Sequence, residues 1–411
     1  MEIPQSLTLI GATMQMDEFE LRAWLRLLLT PSIGNESARR LLTRFGNVQG
    51  IFEAPQLQLT EVVSRAQAEA LLQQPVLLDA QAVRTLQWLS TPPKVLNAQR
   101  AIWPIGHPDY PESLLHLTDP PLLLYVEGQI QQTLGPAVSV VGSRNPTPQG
   151  RQTAMQFGRA LAEAGICVVS GMALGIDGAS HQGALQYAPP SQTFKSSPTG
   201  ASESESSLSY WKTVGVIGTG LDQVYPRYHE ALAQEVLKQG VLISEYPLGT
   251  PPLAANFPQR NRLIAALGLG TLVVEAAMRS GSLITARMAL DMNREVMAVP
   301  GSIHAMQSHG CHWLIRQGAK LVENVKDILE ELQIPIHTDE NNSPAPGGSQ
   351  QAPAPHLVLD QMGFTPISLD ALQMHCKLET SVLQSELLSL ELDGCVARMP
   401  GGMFQRLKAP S

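Results

Sequence analysis

Arginine, asparagine, serine and glycine cluster in two short segments of this 411-residue chain, each opening a helix-forming stretch. The first segment, F-P-Q-R-N-R-L-I, supplies the candidates Phe257, Arg260, Asn261 and Arg262. The second segment, R-S-G-S-L-I-T-A, supplies Ser280, Gly281 and Ser282. Guanidinium groups and main-chain N–H groups at helix N-termini are donors that bind phosphate. Because no acid–base pair or nucleophile accompanies them, the pattern predicts a site that holds a polyanion rather than one that transforms it.

Further candidates follow short apolar β-forming runs, in V-V-G-S-R, V-V-S-G and I-G-T-G. These motifs add Gly142, Ser143, Arg144, Ser170, Gly171 and Gly220. Ligands of open parallel sheets bind outside the carboxyl ends of the strands, where such turns meet. Any parallel sheet also needs tight glycine turns, so the glycines alone could serve either ligand binding or the fold. Phe257 and Tyr225 could stack a base or belong to the core.

Motifs of nucleotide hydrolysis and hydride transfer do not occur in the sequence. It has no GxxxxGK[ST] loop, no full GxGxxG fingerprint with a ribose-binding acid, and no GxSxG or HExxH motif. Its four cysteines are scattered without zinc-ligand spacing. We therefore expect no catalytic residues, no metal site and no cofactor.

The elements that must position these candidates are β-runs alternating with helical segments from residue 136 onward. Most of the runs are continuously apolar, as in parallel strands that are covered on both faces. The pattern predicts an α/β fold with an extended, Rossmann-like, doubly wound and mostly parallel sheet. The predicted strands are Ala137–Val141, Cys167–Ser170, Thr213–Ile217, Val241–Ser244, Thr271–Glu275 and Val296–Val299.

Smaller domains flank this predicted core, which spans 136–334 and carries a Ser- and Pro-rich insertion at 189–209 that we expect to be disordered. Residues 17–90 predict a helical domain of helix-hairpin-helix or SAM-like type, which could contact DNA phosphates or serve packing alone. Residues 91–135 predict a Pro-rich connector with short strands. A linker at 335–356 leads to a winged-helix domain at 357–408, whose acidic balance argues against DNA binding by its recognition helix.

The net charge of −8 excludes a protein that coats nucleic acid by bulk electrostatics. The core segments 136–187 and 212–332 hold 14 Lys and Arg against 13 Asp and Glu, so any nucleic-acid contact must be a local site. The first residues show no signal peptide, and no stretch approaches the length of a membrane span. We therefore expect a cytoplasmic protein that does not enter a membrane.

From Pro104 to Leu332 the chain resembles the DNA-processing protein A family, DprA, also called Smf. The ordered blocks that carry the resemblance include S-G-M-A-L-G-I-D-G-A-S-H, G-T-G-L-D-Q-V-Y-P, I-S-E-Y-P-L-G, F-P-Q-R-N-R-L-I and V-V-E-A-A-M-R-S-G-S-L-I-T-A. The resemblance implies a protein that binds single-stranded DNA, protects it during natural transformation and loads the RecA recombinase onto it. It assigns phosphate contact to Arg144 and pocket-lining positions to Arg260, Asn261 and Arg262. It also implies a homodimer formed through about 286–326, the region that serves RecA.

The alternative is a nucleotide-processing enzyme related to the lysine-decarboxylase-like phosphoribohydrolases, which share this kind of sheet. Their signature is P-G-G-x-G-T-x-x-E. The chain offers only L-G-L-G-T-L-V-V-E, which ends at Glu275 and lacks the P-G-G element and the Thr-to-Glu spacing. The sequence therefore favours the DNA-binding mediator over the enzyme.

Overall fold

The computed structural model describes residues 16–187, 210–335, 356–364, 366–399 and 401–407. The predicted insertion at 189–209, the first residues of the chain and most of the predicted linker lie outside the described residues. Within the described ranges, every helix is too short or too polar to span a bilayer.

Six helices form an N-terminal helical domain that packs against the sheet. Local signals set their ends: the Asp17 side chain accepts a hydrogen bond from the Glu20 N–H, and Gly46 ends the second helix with a φ of 82°. A shared apolar cluster that includes Trp24 and Tyr125 joins this domain to the sheet. The helices are α1 (Glu18–Leu29), α2 (Asn35–Phe45), α3 (Val48–Glu53), α4 (Gln56–Leu59), α5 (Arg65–Leu72) and α6 (Leu78–Ser90).

A nine-stranded sheet forms the centre of the protein. Its strands are β1 (Gln99–Pro104), β2 (Leu123–Gly128), β3 (Ala137–Val141), β4 (Cys167–Ser170), β5 (Thr213–Val216), β6 (Val241–Ser244), β7 (Gly270–Val273), β8 (Glu295–Ala298) and β9 (Lys320–Leu321). Their spatial order is β1-β2-β6-β5-β4-β3-β7-β8-β9, and all neighbours from β6 to β9 are parallel. Strands β3 to β7 are buried along their whole length, which explains their continuous apolar runs. The predicted doubly wound, mostly parallel sheet is confirmed.

Strands β1 and β2 come from the segment that the sequence analysis assigned to a connector. They pair antiparallel with each other, and β2 pairs antiparallel with β6. Trp103 on β1 and Tyr125 on β2 are buried almost completely. This segment therefore extends the central sheet, which the sequence pattern did not indicate.

Helices cover both faces of the sheet, because the side chains of the central strands alternate between apolar clusters on its two faces. One face carries α7 (Glu112–Leu115), α11 (Asn256–Leu267), α12 (Gly281–Asp291) and α13 (His309–Arg316). The other face carries α8 (Pro148–Glu163), α9 (Ile176–Gln186), α10 (Glu230–Gln239) and α14 (Val325–Glu331). Short 3₁₀ turns at Arg227–His229 and Met306–Ser308 precede α10 and α13.

Helices α8 and α9 approach each other closely because two glycines face the contact. A Cβ atom on Gly158 would lie 2.2 Å from the Ser180 carbonyl oxygen, and one on Gly183 would lie 1.9 Å from that of Met155. Both distances are far below van der Waals contact, so only glycine fits at these positions. The two helices that follow β3 and β4 therefore form a closely packed support beneath the turns at the sheet edge.

The C-terminal domain is a small winged helix, as predicted. Its helices are α15 (Leu357–Met362), α16 (Leu369–Cys376) and α17 (Thr380–Leu392), and its strands are β10 (Ile367–Ser368), β11 (Val396–Met399) and β12 (Met403–Arg406). The strands pair antiparallel in the order β10-β12-β11. The domain has its own apolar core, in which Leu372, Leu387 and Phe404 are buried.

Candidate functional site

A pocket of about 450 Å³ opens at the carboxyl ends of β3, β4 and β7. The chain runs from β3 through β4, β5 and β6 on one side and returns to β7 on the other side of β3. Such a reversal of strand order is where open α/β sheets bind ligands. The turn after β3 (141–145) and the turn before α12 (277–282) form opposite walls of this pocket, and the segment after β4 and α11 complete it.

Arg144 is the exposed cation of the first wall. The Ser143 hydroxyl accepts a hydrogen bond from the Asn145 N–H at 3.1 Å, which shapes the turn that carries Arg144. The Arg144 guanidinium carbon lies 5.6 Å from the centre of the Phe257 ring. Among the described residues, no carboxylate forms a salt bridge with Arg144. Its charge is therefore available to a ligand.

The opposite wall offers a second exposed cation, Arg279, and the N-terminus of α12. Ser280 caps this helix by accepting from the Ser282 N–H at 3.3 Å, and the two hydroxyl oxygens are 2.6 Å apart. The first turn of α12, which begins at Gly281, contains no acidic residue that would oppose an anion. The serines and the glycine are among the residues predicted from the sequence, whereas Arg279 and Asn145, which adjoin predicted residues, are not.

Arg260 forms the floor of the pocket and is only 3% exposed. Its Nη1 donates to the carbonyl oxygens of Gly171, at 2.7 Å, and of Val216. Burial, aided by the charge of Arg144, lowers the pKa of Arg260 to about 10, and the Asp177 carboxylate opposes both effects. Much of the hydrogen-bonding capacity of Arg260 is thus used to hold the strand ends together, while its charge contributes to the field in the pocket.

Asp177 is buried beside Arg260 and accepts hydrogen bonds from the main-chain N–H groups of Gly171 and Ala173. Burial raises the pKa of the Asp177 carboxyl, and Arg260, the two N–H donors and Arg144 lower it. The carboxylate is therefore placed to compensate Arg260 and to fix the loop after β4.

The structure does not place Arg262 in this pocket. Residues 260 and 262 are two positions apart, so their side chains leave the helix in nearly opposite directions. Arg262 forms a close ion pair with Glu245 and lies 3.8 Å from a carboxylate oxygen of Asp119. Its side chain is only 12% exposed. Asn261, between the two arginines, lines the pocket and accepts from Arg260 Nε at 3.3 Å.

The other predicted positions divide between the pocket and its support. The Ser170 hydroxyl is buried and donates to the Val140 carbonyl oxygen at 2.6 Å, so it ties β4 to β3. Gly142 lines the pocket, and a Cβ atom there would come within 2.6 Å of Ile176. Gly220 lies outside the pocket, in a tight turn where its N–H donates to the Thr250 carbonyl oxygen.

Phe257 and Tyr225 form an aromatic pair beside Arg144, with ring centres 5.5 Å apart. Phe257 is half-buried at the start of α11, and Tyr225 is exposed. The arrangement of a cation, an aromatic ring and a second aromatic ring suits a single strand, since bases stack on such rings.

Glu275, the acid at the end of the partial enzyme signature, is engaged with a neighbouring turn. Its two carboxylate oxygens accept from the Thr147 N–H at 2.9 Å and from the Thr147 hydroxyl at 2.6 Å. Buried His181 bonds to the Thr213 hydroxyl, and burial lowers its pKa to about 3, so its ring is neutral. In the part of the chain that the structure describes, no cluster of three His, Cys, Asp or Glu could hold a metal ion. The site therefore has the chemistry to bind an anion.

A sequence profile described as DNA recombination-mediator protein A matches residues 101–333, and a profile of the DprA winged helix domain matches residues 342–402. Protein Smf of Escherichia coli is 37% identical over 392 residues, which cover 94% of this chain and 96% of that protein.

The DNA processing protein DprA of Streptococcus pneumoniae is 41% identical over 224 residues, which cover 54% of this chain and 71% of that protein. The X-ray structure of DprA from Streptococcus pneumoniae aligns with a TM-score of 0.59 and 32% identity over 77% of this chain and 99% of that one.

Proposed function

The chain belongs to the DNA recombination-mediator protein A family, and on that premise we propose that it binds single-stranded DNA and acts as a recombination mediator. The pocket at the switch point of the sheet would hold backbone phosphates through Arg144, Arg279, the Ser280–Ser282 turn and Asn261. Arg260 would contribute its charge from below. Phe257 would offer a stacking surface to a base.

The observation that carries this proposal is that exposed Arg144, which forms no salt bridge within the described ranges, lines the same pocket as the N-terminus of α12. The core has nearly equal numbers of acidic and basic residues, so its surface gives no general attraction for a polyanion. Two exposed guanidinium groups and one helix N-terminus, converging on a space of about 450 Å³, form a local anion site.

Arg144→Ala tests the proposal in a fluorescence polarisation titration of single-stranded DNA at several salt concentrations. We expect weaker binding for every sequence, and a log–log salt slope reduced by about 0.7, because one phosphate contact is lost. Arg159→Ala is the matched control, since Arg159 is exposed on α8, does not line the pocket and pairs only with Glu163. Equal affinities of wild type and Arg144→Ala would contradict the proposed site.

We also propose that the protein is not an enzyme. Both oxygens of Glu275 are occupied by Thr147, which leaves the partial phosphoribohydrolase signature without a free carboxylate. Incubation with nucleoside monophosphates should release no free base. Turnover that disappears in Glu275→Gln would reverse this conclusion in favour of the nucleotide-processing alternative.

Homodimer formation and delivery of DNA to RecA complete the proposed function. Exposed apolar side chains at Leu290, Met306 and Leu321 fall within the region 286–326 and support an interface there. We expect light scattering to give the mass of a dimer for the wild type and of a monomer for Leu290→Glu. Leu392→Glu, which changes an exposed leucine of the winged helix, serves as control.

RecA should be retained by the immobilised wild-type protein, and its absence from the bound fraction would refute the partnership.

A further inference from the structure

A second cleft, of about 440 Å³, lies beside the anion pocket at the same edge of the sheet. The two sites are lined by successive parts of the same segments. After β3, residues 141–145 face the pocket and residues 147–153 face the cleft. After β7, residues 277–282 face the pocket, whereas Val274 and Glu275 face the cleft. The pocket and the cleft therefore adjoin at the turn between β3 and α8.

The winged-helix domain forms the outer wall of this cleft through Phe364, Pro366 and Gln405. Phe364 is 51% exposed, so much of its surface is open to a ligand. The Arg406 guanidinium carbon lies 4.9 Å from the centre of the Phe364 ring, and Arg406 is fixed by donating to the Leu359 carbonyl oxygen at 2.8 Å. A positioned aromatic ring of this kind is a platform on which a base stacks.

Gln405 gives the cleft an unused hydrogen-bond acceptor. Its side chain is only 3% exposed, and its Nε2 donates to Gln149 Oε1 at 2.8 Å and to the Phe364 carbonyl oxygen at 3.3 Å. Its Oε1 is buried and has no hydrogen-bond partner among the described residues. Buried polar atoms normally find a partner, and a small shift of this amide towards the cleft would let its oxygen accept from an N–H group on the edge of a base.

The charge of the cleft differs from that of the pocket. Glu275 is the one ionisable side chain among the residues that line the cleft. Burial raises the pKa of Glu275, and the two hydrogen bonds from Thr147 lower it. The pocket, in contrast, is lined by Arg144, Arg260 and Arg279. No cation is among the lining residues, and the nearby Arg406 lies against the Phe364 ring. An aromatic ring and an amide suit a base better than a phosphate.

We propose that this interdomain cleft binds a base of the single-stranded DNA whose phosphates lie in the anion pocket, with Phe364 as the stacking platform and Gln405 Oε1 as an acceptor. This inference rests on the proposed function. It gives the winged-helix domain a direct contact with the single strand that does not use its recognition helix.

The test compares two oligothymidylates, of about 4 and about 16 nucleotides, the two ends of the range that single-strand-binding folds occupy. With full-length protein, Phe364→Ala should weaken binding of the longer strand about fivefold or more, because one stacked base is lost. It should weaken binding of the shorter strand less, because that strand is proposed to bind mainly in the pocket. Phe364→Trp should retain the affinity for the longer strand. Met374→Ala, an exposed apolar residue of α16 outside the cleft, should match the wild type.

A direct readout separates stacking from an effect on folding. Bromodeoxyuridine placed along the longer strand should photocrosslink to the peptide that contains Phe364, and circular dichroism should show each variant folded. Unchanged affinity of Phe364→Ala for the longer strand, together with weaker binding by Arg144→Ala, would overturn the cleft proposal and leave the proposed function intact. Unchanged binding by both variants would remove the anion pocket and the cleft together.

Discussion

Two arginine side chains leave α11 on opposite sides and enter different environments. Towards the pocket, Arg260 and the exposed cation Arg144 share one nearby carboxylate, that of Asp177, so positive charge remains in excess beside an open space. On the other side, Arg262 is held between Glu245 and Asp119, and its charge is compensated within the protein. One side thus accumulates positive charge for a ligand, and the other side uses an arginine to anchor the helix.

This difference shows that a polar motif at a helix start can serve binding and anchoring at once. Arg260, Asn261 and Arg262 are consecutive, yet the helical turn of about 100° per residue sends the two arginines to different partners. Anchoring also matters for binding, because α11 carries Asn261 into the pocket and places Phe257 beside Arg144.

Arg260→Ala should give the largest effect. It removes hydrogen bonds to two carbonyl groups and leaves buried Asp177 without its cation. We expect the free energy of unfolding to fall by about 2–6 kcal/mol, because each buried carbonyl oxygen that loses its donor costs about 1–3 kcal/mol. Urea denaturation measures the loss. Arg144→Ala, by contrast, should stay within about 0.5 kcal/mol of wild type. A fully stable Arg260→Ala protein would show that Arg260 belongs with the exposed ligand cations.

Arg262→Ala should destabilise the protein by a smaller amount, about 2–3 kcal/mol, because Glu245 loses its partner but can take up a proton. Single-stranded DNA binding by the folded variant should keep the salt slope of wild type. The double variant Arg262→Ala with Glu245→Gln should recover part of the lost stability, since the unpaired carboxylate is gone. A lower salt slope in Arg262→Ala would instead indicate that Arg262 contacts a DNA phosphate.

The stability of the anchoring side should depend on pH through Glu245. Burial raises the pKa of Glu245 from 4.5 to about 7, and Arg262 opposes this rise. The folded state therefore holds the proton more tightly than the unfolded state does, so stability falls as the pH rises through this interval. Comparing urea unfolding of wild type and Glu245→Gln across these pH values isolates the effect. Parallel pH profiles for the two proteins would contradict it.

Arg279→Ala should have the smallest effect, confined to the ligand side. We expect a modest loss of single-stranded DNA affinity, a salt slope lower by about 0.7 and no change in stability, because Arg279 is exposed and forms no ion pair within the described ranges. Polarisation titrations with Arg159→Ala as control measure this. A loss of stability in Arg279→Ala would mean that both walls of the pocket are structural.

The sequence predicted the structure correctly wherever a single local pattern determines an element. The bounds of β3, β4 and β6 agree with the predicted runs because strands buried on both faces are continuously apolar. The winged helix was predicted from its short helices and Gly-containing hairpin. The direction of Arg262 could not be read from the motif, because its partners Glu245 and Asp119 come from distant segments. The membership of β1 and β2 in the sheet was missed because their antiparallel pairing has no local signature as strong as a βαβ unit.

The antiparallel pair β1–β2 has a consequence for dividing the protein into fragments. A fragment beginning at residue 136 would strip β2 from β6 and expose the hydrogen-bonding groups of a strand that is buried in the intact sheet. Unprotected edges of this kind recruit strands from other molecules, so such a fragment should aggregate. A fragment that starts before Gln99 keeps β2 paired with β6. Its edge strand is then β1, which ends in proline, a residue suited to an edge strand. The segment 91–135, which the sequence pattern predicts to be a connector, thus protects the sheet from self-association.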